Sequence, residues 1–168
     1  MAKYERKVLA HYLDASFTIA SSPTHSWFLI GKDIEEMSVE LNPDTETVKN
    51  ILGETSVKDN GYEPTMSAEP YYANPDDSIY EKIKDIAMQR LKGDACKTYI
   101  LEVIYDPDEA QQTTPAYEAY REEVIVKPQS YGGDTSGVQI PYEVLFDGNR
   151  TPGTVSLSST GVPTFTPA

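Results

Sequence analysis

Apolar and polar positions alternate in two segments of the chain, residues 34–41 and 63–73, which flank a long polar stretch. A period of two places successive side chains on opposite faces of a β-strand. We therefore predict a strand in each segment, with one apolar face that packs on a core and one face of small or acidic residues. The apolar set is Met37, Val39, Leu41, Met66 and Ala68, and the polar set is Glu36, Ser38, Glu40, Thr65, Ser67 and Glu69.

The stretch between these segments predicts a long polar β-hairpin at about residues 43–62. It holds few apolar residues, and its strongest turn signal is Asn60-Gly61. An extended segment of this length packs on little of its own chain, and such segments are often functional. The residues through which we expect the hairpin to contact a neighbouring molecule are Val48, Ile51, Leu52, Val57, Asn60 and Gly61.

A strong helix signal follows the second alternating segment. Ser78 and Glu81 have the spacing of a capping box, and Gly93 is placed to end a helix over residues 78–92. Large aliphatic residues recur at helical spacing along one stripe, so we expect the helix to pack by that stripe. The stripe consists of Ile79, Ile83, Ile86 and Leu91.

Apolar runs in the second half of the chain predict further strands. Residues 98–105 are nearly all apolar, which is typical of a strand covered on both faces. Residues 117–127 and 140–146 are the next predicted strands, and a turn at residues 147–149 ends the latter. Residues 154–157 are expected to pair as a last strand.

The remaining segments carry weaker signals. Residues 8–13 favour a helical turn or an arm that docks on a neighbour, residues 21–24 a loop, and residues 131–137 a flexible connection. Strands do not alternate regularly with helices, so we predict a mainly β (α+β) fold. Its core would be two packed antiparallel β-sheets, in a sandwich or partial barrel, with one flanking helix and one long protruding hairpin.

Composition and charge narrow the class of protein. The chain has 168 residues, a net charge of −13 and a hydrophobic share of 39%. Such an acidic chain is a poor candidate for gripping nucleic acid, which needs clustered Lys and Arg. The thin core suits a protein that completes its burial with partners. There is one cysteine, no secretory signal and no apolar run of ~20 residues, so we expect folding in a cytoplasm without an intrachain disulfide.

Residue types that carry catalysis or bind metals are sparse. His11 and His25 are too few for a His-rich metal site, and we interpret both as surface or interface residues. Cys96 is interpreted as a small packed residue near a strand start. The acidic pairs 35–36 and 122–123 point to opposite strand faces, so we expect solvated side chains. No P-loop, GxGxxG, HExxH or GxSxG motif occurs, and we predict no enzyme activity, cofactor or metal.

The order of these segments resembles a known family. The chain is similar to the major tail tube protein of long-tailed bacteriophages in the stretch FLIGKDIEEMSVELNPDTETVKNILGETSVKDNGYEPTMSAEPYY, in the helix that follows, and in YGGDTSGVQIPYEVLFDGN followed by PGTV. The resemblance spans roughly residues 27–155 and lies in the order of the elements rather than in any single motif.

This resemblance implies a structural virion protein. Six subunits of that family form a ring, rings stack into a hollow tube through which DNA passes, and the long hairpin reaches the adjacent ring. The implied partners are further copies of the chain and other tail proteins, with no specific DNA binding and no membrane insertion. The protein would be made in the host bacterial cytoplasm and located in the phage tail. Residues 1–150 would form one tail-tube β-sandwich domain, and residues 151–168 a last strand and a flexible C-terminal arm.

Under this resemblance the small and acidic face of the alternating strands would line the channel. A wall that repels DNA lets it pass without sticking. The other interpretation is that this face simply meets bulk water, and the pattern alone favours neither. The alternative function is a non-enzymatic β-sandwich binding module, such as a virion decoration or adhesion domain, which the content of twelve tyrosines motivates.

Overall fold

The computed structural model describes residues 3–19 and 25–168, so the loop expected at residues 21–24 lies outside the described residues. Within these ranges, eight strands form one antiparallel sheet that curls into a half-barrel, flanked by the helix α1 (Tyr80–Gln89). Four more strands form two separate two-stranded ribbons. The strands are β1 (Leu9–Asp14), β2 (Trp27–Leu29), β3 (Val39–Glu40), β4 (Pro43–Lys49), β5 (Thr55–Tyr62), β6 (Thr65–Ala68), β7 (Lys97–Ile104), β8 (Tyr117–Pro128), β9 (Gly132–Asp134), β10 (Gly137–Gln139), β11 (Tyr142–Leu157) and β12 (Pro163–Pro167).

The longest strand, β11, holds the main sheet together. The strand order is β2-β1-β7-β8-β11-β6-β3, and β12 also pairs with β11. One side of β11 pairs along its length with β8, while on the other side its first part pairs with β6 and its last part with β12. The predicted mainly β fold is therefore confirmed as the partial barrel, with a flanking helix and a long hairpin. A single curled sheet encloses the core in place of two separate sheets.

The main core lies between the curled sheet and the helix segment. Leu13, Ile100 and Val124 from three adjacent strands cluster with Ile79 and Ile83, and all five are 0% exposed. Successive residues of a strand point to opposite faces. Leu101 and Val103 of β7 therefore pack into a second, smaller cluster on the other face of the sheet. Six consecutive residues of β7 are buried, which confirms the prediction of a strand covered on both faces.

One long ribbon runs from the sheet into solvent. Val39 pairs with Met66 in β3–β6, and Pro43 pairs with Tyr62 in β4–β5. The two pairs are four positions apart on each strand, so the two ladders share one register up to Pro43, and a shift follows between Pro43 and Thr45. The first half of the ribbon belongs to the main sheet, and the second half, the hairpin β4–β5, leaves it with its side chains exposed.

The turn of this hairpin is not at Asn60-Gly61, and that prediction was wrong. β5 runs through both residues, and Gly61 takes a left-handed φ of 95° beside a register shift in the ladder. The observed turn lies at residues 50–54, where Asn50 Oδ1 accepts hydrogen bonds from the amides of Leu52 at 2.9 Å and Glu54 at 3.0 Å. The side chain of Asn50 thus replaces the missing backbone partners of the turn.

The helix is shorter than predicted. It begins at Tyr80 instead of residue 78, and no side chain caps its first turn, so Ser78 does not form the predicted capping box. At the other end, Arg90 takes the left-handed conformation with φ 53°, and its amide donates to the carbonyl of Ile86. Arg90 and not Gly93 therefore ends the helix, which leaves Leu91 outside it and half-buried.

Two predicted strands near the ribbon are also shorter. Residues 34–38 are not a strand, and only Val39–Glu40 remains of the first alternating segment. The chain here crosses toward the N-terminal segment, where the guanidinium of Arg6 donates to the carbonyl of Met37 at 3.1 Å. The second segment forms a strand only over Thr65–Ala68, between two prolines that cannot donate to a ladder.

Three further segments depart from the prediction. Residues 8–13 were expected as a helical turn or docking arm, and all but the first of them lie in β1 (Leu9–Asp14) inside the sheet. β11 continues through residues 147–149 because Gly148 and Asn149, with φ of 108° and 56°, produce register shifts in place of a turn. Residues 132–139 form the hairpin β9–β10. At the C-terminus, residues 151–157 are the last part of β11 and Pro163–Pro167 pairs with them, while the division of the chain at residue 150 stays a prediction.

Candidate functional site

The polar face predicted from the alternating segments gathers around one shallow cavity. Glu40 pairs with Thr65 across β3 and β6, which places both side chains on one face of the sheet. The cavity has a volume of about 220 Å³. Its walls include Glu36, Ser38, Glu40, Thr65 and Ser67, whereas Glu69 follows the end of β6 and is not part of the lining. The destination of this face in an assembly stays a prediction.

The apolar set divides between core and surface. Met66 and Ala68 are buried at 1% and 0%, and Met37 and Val39 pack partly against the same core. Leu41, which was expected to point into the core, is 55% exposed. It lies where the ribbon leaves the sheet, beside a cavity whose other walls include Glu102, Glu122 and Arg150.

The hairpin β4–β5 carries aliphatic side chains into solvent. Ile51 and Leu52 at the turn are 102% and 76% exposed, and Val57 and Val48 on the arms are 70% and 43% exposed. Four exposed aliphatic residues on one otherwise polar projection are typical of an interaction surface. Asn60 and Gly61, the other predicted contact residues, lie near the base of the hairpin, at the C-terminal end of β5.

A buried ionic cluster, formed by Glu102, Glu122, Arg150 and His11, lies on the core side of the sheet. Nη1 of Arg150 donates to Glu102 Oε1 at 2.7 Å and to Glu122 Oε1 at 3.0 Å. His11 Nδ1 lies 3.4 Å from Glu102 Oε2. Residues Glu102 and Glu122 are 9% and 7% exposed, whereas the Arg150 side chain is 42% exposed, so a guanidinium that reaches solvent pairs with two largely buried carboxylates.

The charges of this cluster shift each other's pKa. Burial alone raises the pKa of Glu102, but His11 and Arg150 together outweigh burial and hold that pKa below its ordinary value. Burial lowers the pKa of Arg150, and the two carboxylates more than reverse this effect. Glu102 is therefore ionised in the folded protein at neutral pH, with its charge paired.

His11 contradicts the sequence interpretation, since it is 1% exposed and not a surface residue. Among the described residues neither of its ring nitrogens makes a hydrogen bond of good geometry. Glu122 was likewise expected to be solvated, yet it points inward and its Oε2 accepts a hydrogen bond from the amide of Gly148 at 3.2 Å. The cluster joins strands that are far apart in sequence, so the sequence analysis missed it. The local feature that pointed to it was Glu102, a single charged residue within the apolar run TYILEVIY.

A second buried pair joins Asp14 to His25. Asp14 is 0% exposed and its Oδ2 lies 2.7 Å from His25 Nδ1. Arg121 Nη1 lies 3.4 Å from His25 Nε2, which assigns the proton to Nδ1. His25 also stacks on Trp27 with ring centroids 4.6 Å apart. The group that faces His25 Nε2 is the guanidinium of Arg121 and not a hydroxyl or thiol. The Asp14–His25 pair is therefore arranged to hold the chain at the edge of the sheet.

Cys96 lies directly before β7 and is fully buried, which confirms its interpretation as a packed residue. Its thiol donates to the carbonyl of Leu91 at 3.3 Å. In residues 3–19 and 25–168 no group of three or more His, Cys, Asp and Glu side chains is arranged to hold a metal ion. None of the helices in those ranges is long and apolar enough to cross a membrane.

Comparison with known proteins gives structural likenesses only. No protein-family model and no curated protein matches the sequence. The chain is similar to the sheath/tube terminator of an extracellular contractile injection system, PVC, in the extended state, with a TM-score of 0.49 and 10% identity over 90% of this chain and 97% of that chain. It is also similar to the anti-feeding prophage cap, a tube terminating cap, with a TM-score of 0.49 and 14% identity over 92% of this chain and 93% of that chain. Neither description names a major tail tube protein.

Proposed function

We propose that this protein is a structural component of a phage-type tail, which closes into rings, of six copies by the resemblance, and contacts the next ring through the hairpin β4–β5. The observation that carries this proposal is the hairpin itself. It continues the register of a ribbon anchored in the core, is exposed along its length, and ends in Ile51 and Leu52. A monomer gains nothing from two solvated aliphatic residues on such a projection.

The sheet edges support ring closure. Within residues 3–19 and 25–168, β2 and β3 end the main strand order, and each pairs with a strand on one side only. Proteins normally protect such edges, and pairing with a neighbouring copy is one way to do so. Both edge strands are short, of three and two residues, so further contacts would have to stabilise the ring.

The acidic cavity face supports a channel wall. Glu36 and Glu40 stand there among small hydroxyl side chains, and the whole chain has a net charge of −13. If this face lines the lumen of the ring, DNA meets only like charge and slides past without specific binding. The partners are then further copies and other tail proteins, the location is the virion, and no catalysis is required.

The test is electron microscopy of the purified protein at increasing concentration. We expect rings of uniform diameter that stack into tubes. Single rings that never stack would assign the protein to the end of a tube, the role named in the descriptions of the two structural neighbours. A stable monomer at all concentrations would overturn the proposal and favour the binding module, which saturable binding of glycan or protein would then establish.

A further inference from the structure

We propose that the cavity beside Phe28, Tyr71 and Tyr142 is the receptor for the hairpin turn, residues 50–54, of a second copy of this chain. The inference rests on the proposed function, because it names the surface to which the hairpin of one ring binds on the next. Ile51 and Leu52 would enter the cavity, and a carbonyl of the turn would accept a hydrogen bond from the Tyr142 hydroxyl.

The receptor cavity is open, has four aromatic residues among its twelve lining residues, and contains one buried hydroxyl without a hydrogen-bond partner among the described residues. It has a volume of about 250 Å³, and its apolar walls include Phe28, Ile30 and Tyr71. Tyr142 also lines it and is 1% exposed, and within the described part of the chain its hydroxyl has no hydrogen-bond partner. Burial raises the pKa of this hydroxyl, so it keeps its proton and remains a donor. A buried donor without an acceptor is costly, and a bound acceptor would remove that cost.

The hairpin turn offers the complementary groups. The amides of Leu52, Gly53 and Glu54 are satisfied internally, since Asn50 Oδ1 accepts from Leu52 and Glu54 and the Asn50 carbonyl accepts from Gly53 at 3.1 Å. Among the described residues no backbone amide donates to the carbonyls of Ile51, Leu52 or Gly53. The turn therefore presents aliphatic side chains and free acceptors, which match an apolar cavity with a free donor.

The two surfaces also carry both signs of charge. Lys49 and Glu54 flank the turn, while Lys32, Asp33 and Asp77 are among the cavity residues. Each charge of the turn thus has an opposite charge available on the receptor. Pairs at the rim of an interface mainly fix register and contribute little affinity.

The positions of hairpin and cavity on the chain favour head-to-tail contact. The hairpin precedes β6, whereas the segment Tyr71–Asn74, which forms one cavity wall, follows β6. Hairpin and cavity therefore lie beyond opposite ends of the same strand. A contact between two different surfaces of one molecule continues as an open stack where its rotation does not close into a ring, as successive rings require.

Disulfide trapping tests the pairing. Leu52→Cys and Ala73→Cys chains are mixed as monomers, assembled and oxidised, with Leu52→Cys mixed with Leu29→Cys as the matched control. Ala73 lines the receptor cavity, whereas the 53% exposed Leu29 does not and lines a neighbouring cavity of about 390 Å³ that shares Ile30, Gly31 and Ile34 with the receptor. The native Cys96 is buried and stays in place. We expect at least tenfold more mixed dimer with Ala73→Cys than with Leu29→Cys.

The outcomes separate the two proposals. If rings stack but Leu52→Cys joins Leu29→Cys as readily as Ala73→Cys, the receptor is wrong and the proposed function stands. If no assembly forms under any condition, the proposed function fails and the receptor falls with it. Reduced samples of the same mixtures serve to show that assembly does not depend on the disulfide.

A second variant removes only the hydroxyl. Tyr142→Phe keeps the ring and eliminates an unsatisfied donor, so the thermal midpoint should stay the same or rise. The concentration at which rings stack should rise about fivefold, which corresponds to one net hydrogen bond. Unchanged stacking would overturn the hydrogen bond to the turn, and a lower thermal midpoint would show that the hydroxyl serves the fold instead.

Discussion

β3 and β6 pair inside the main sheet, whereas β4 and β5 continue the same ribbon outside it. The first hairpin pair, Pro43 with Tyr62, keeps the register of β3–β6, and the ladder shifts between Pro43 and Thr45. The exposure of the side chains differs between the two halves. Met66 in the inner half is 1% exposed, and Val57 in the outer half is 70% exposed. The inner half therefore contributes to the stability of the monomer, and the outer half is free to serve another molecule.

The junction between the halves is itself fixed by side chains. Asn42 has a left-handed φ of 45°, and its Nδ2 donates to the Glu63 carbonyl at 3.0 Å and to Thr65 Oγ1 at 3.3 Å. A cavity of about 300 Å³ beside it is lined by Leu41 and Tyr62 on one side and by the ionic cluster of Arg150 on the other. The hairpin thus leaves from a part of the core that is polar and charged.

The largest expected effect separates the two halves directly. Met66→Asp places a carboxylate in the core and should lower the free energy of unfolding by more than about 4 kcal/mol. The matched change Val57→Asp, on the hairpin, should lower it by less than about 0.5 kcal/mol. Urea unfolding of both variants measures the difference. Equal losses would mean that the hairpin packs on the core in solution.

The next effect concerns the ionic cluster under the junction. Arg150→Met leaves Glu102 and Glu122 buried without their partner, and a cost of about 2 kcal/mol is expected because the guanidinium side is 42% exposed. Adding Glu102→Gln to Arg150→Met should restore part of the loss, since one uncompensated charge is removed. If the single and double variants unfold at the same urea concentration, the cluster does not couple these strands.

The pH dependence tests the same cluster with a smaller effect. The folded-state pKa of Glu102 lies below its ordinary value of 4.5, so its contribution to stability is complete above that value and is lost as the pH falls through the lowered pKa. Glu102→Gln should be less stable than the natural chain at pH 7, and the difference should shrink as the pH falls below about 4.5 and through the lowered pKa of Glu102. A gap that is constant between pH 7 and pH 3 would contradict this assignment.

The smallest effect on overall stability is expected at the hairpin turn. Asn50→Ala removes the acceptor of two turn amides and should speed their hydrogen exchange about tenfold. The free energy of unfolding, measured in urea, should change by less than about 0.5 kcal/mol. Asn50→Asp, which keeps an acceptor oxygen, is the control. A clear loss of global stability in Asn50→Ala would show that the turn supports the monomer.

The inner half of the ribbon, β3–β6, could be predicted from the sequence because burial of one strand face produces an alternation of apolar and polar residues. The alternation of Met66 and Ala68 with polar residues, and the apolar run of β7, follow from one or two faces meeting a core. The hairpin was also predicted correctly in extent, because its polarity gives it no core. Its turn was misplaced since Asn60-Gly61 carries a strong local signal that a bulge absorbs, whereas Asn50 forms the turn through side-chain hydrogen bonds.

Contacts between distant strands were not accessible. Arg150 is 48 positions from Glu102 and 28 positions from Glu122 in the sequence. No spacing rule connects residues that far apart. The helix capping box failed for a related reason. Ser78 has the right spacing, but the chain before the helix is already bound in a turn, where the Asp77 amide donates to the Asn74 carbonyl at 3.0 Å. A short-range sequence pattern, such as a capping box, does not determine the structure where another contact has already fixed the backbone.

The central claim is that the outer half of the ribbon serves assembly and not the fold. The most direct test replaces residues 48–56 with Asn-Gly, which keeps the Thr47–Val57 pair and closes it with a two-residue turn. The account predicts a thermal midpoint within about 3 °C of the natural chain, a shift of less than about 1 kcal/mol, and electron micrographs with rings but no stacks. Tubes as long as those of the natural chain, or a protein that no longer folds, would contradict it.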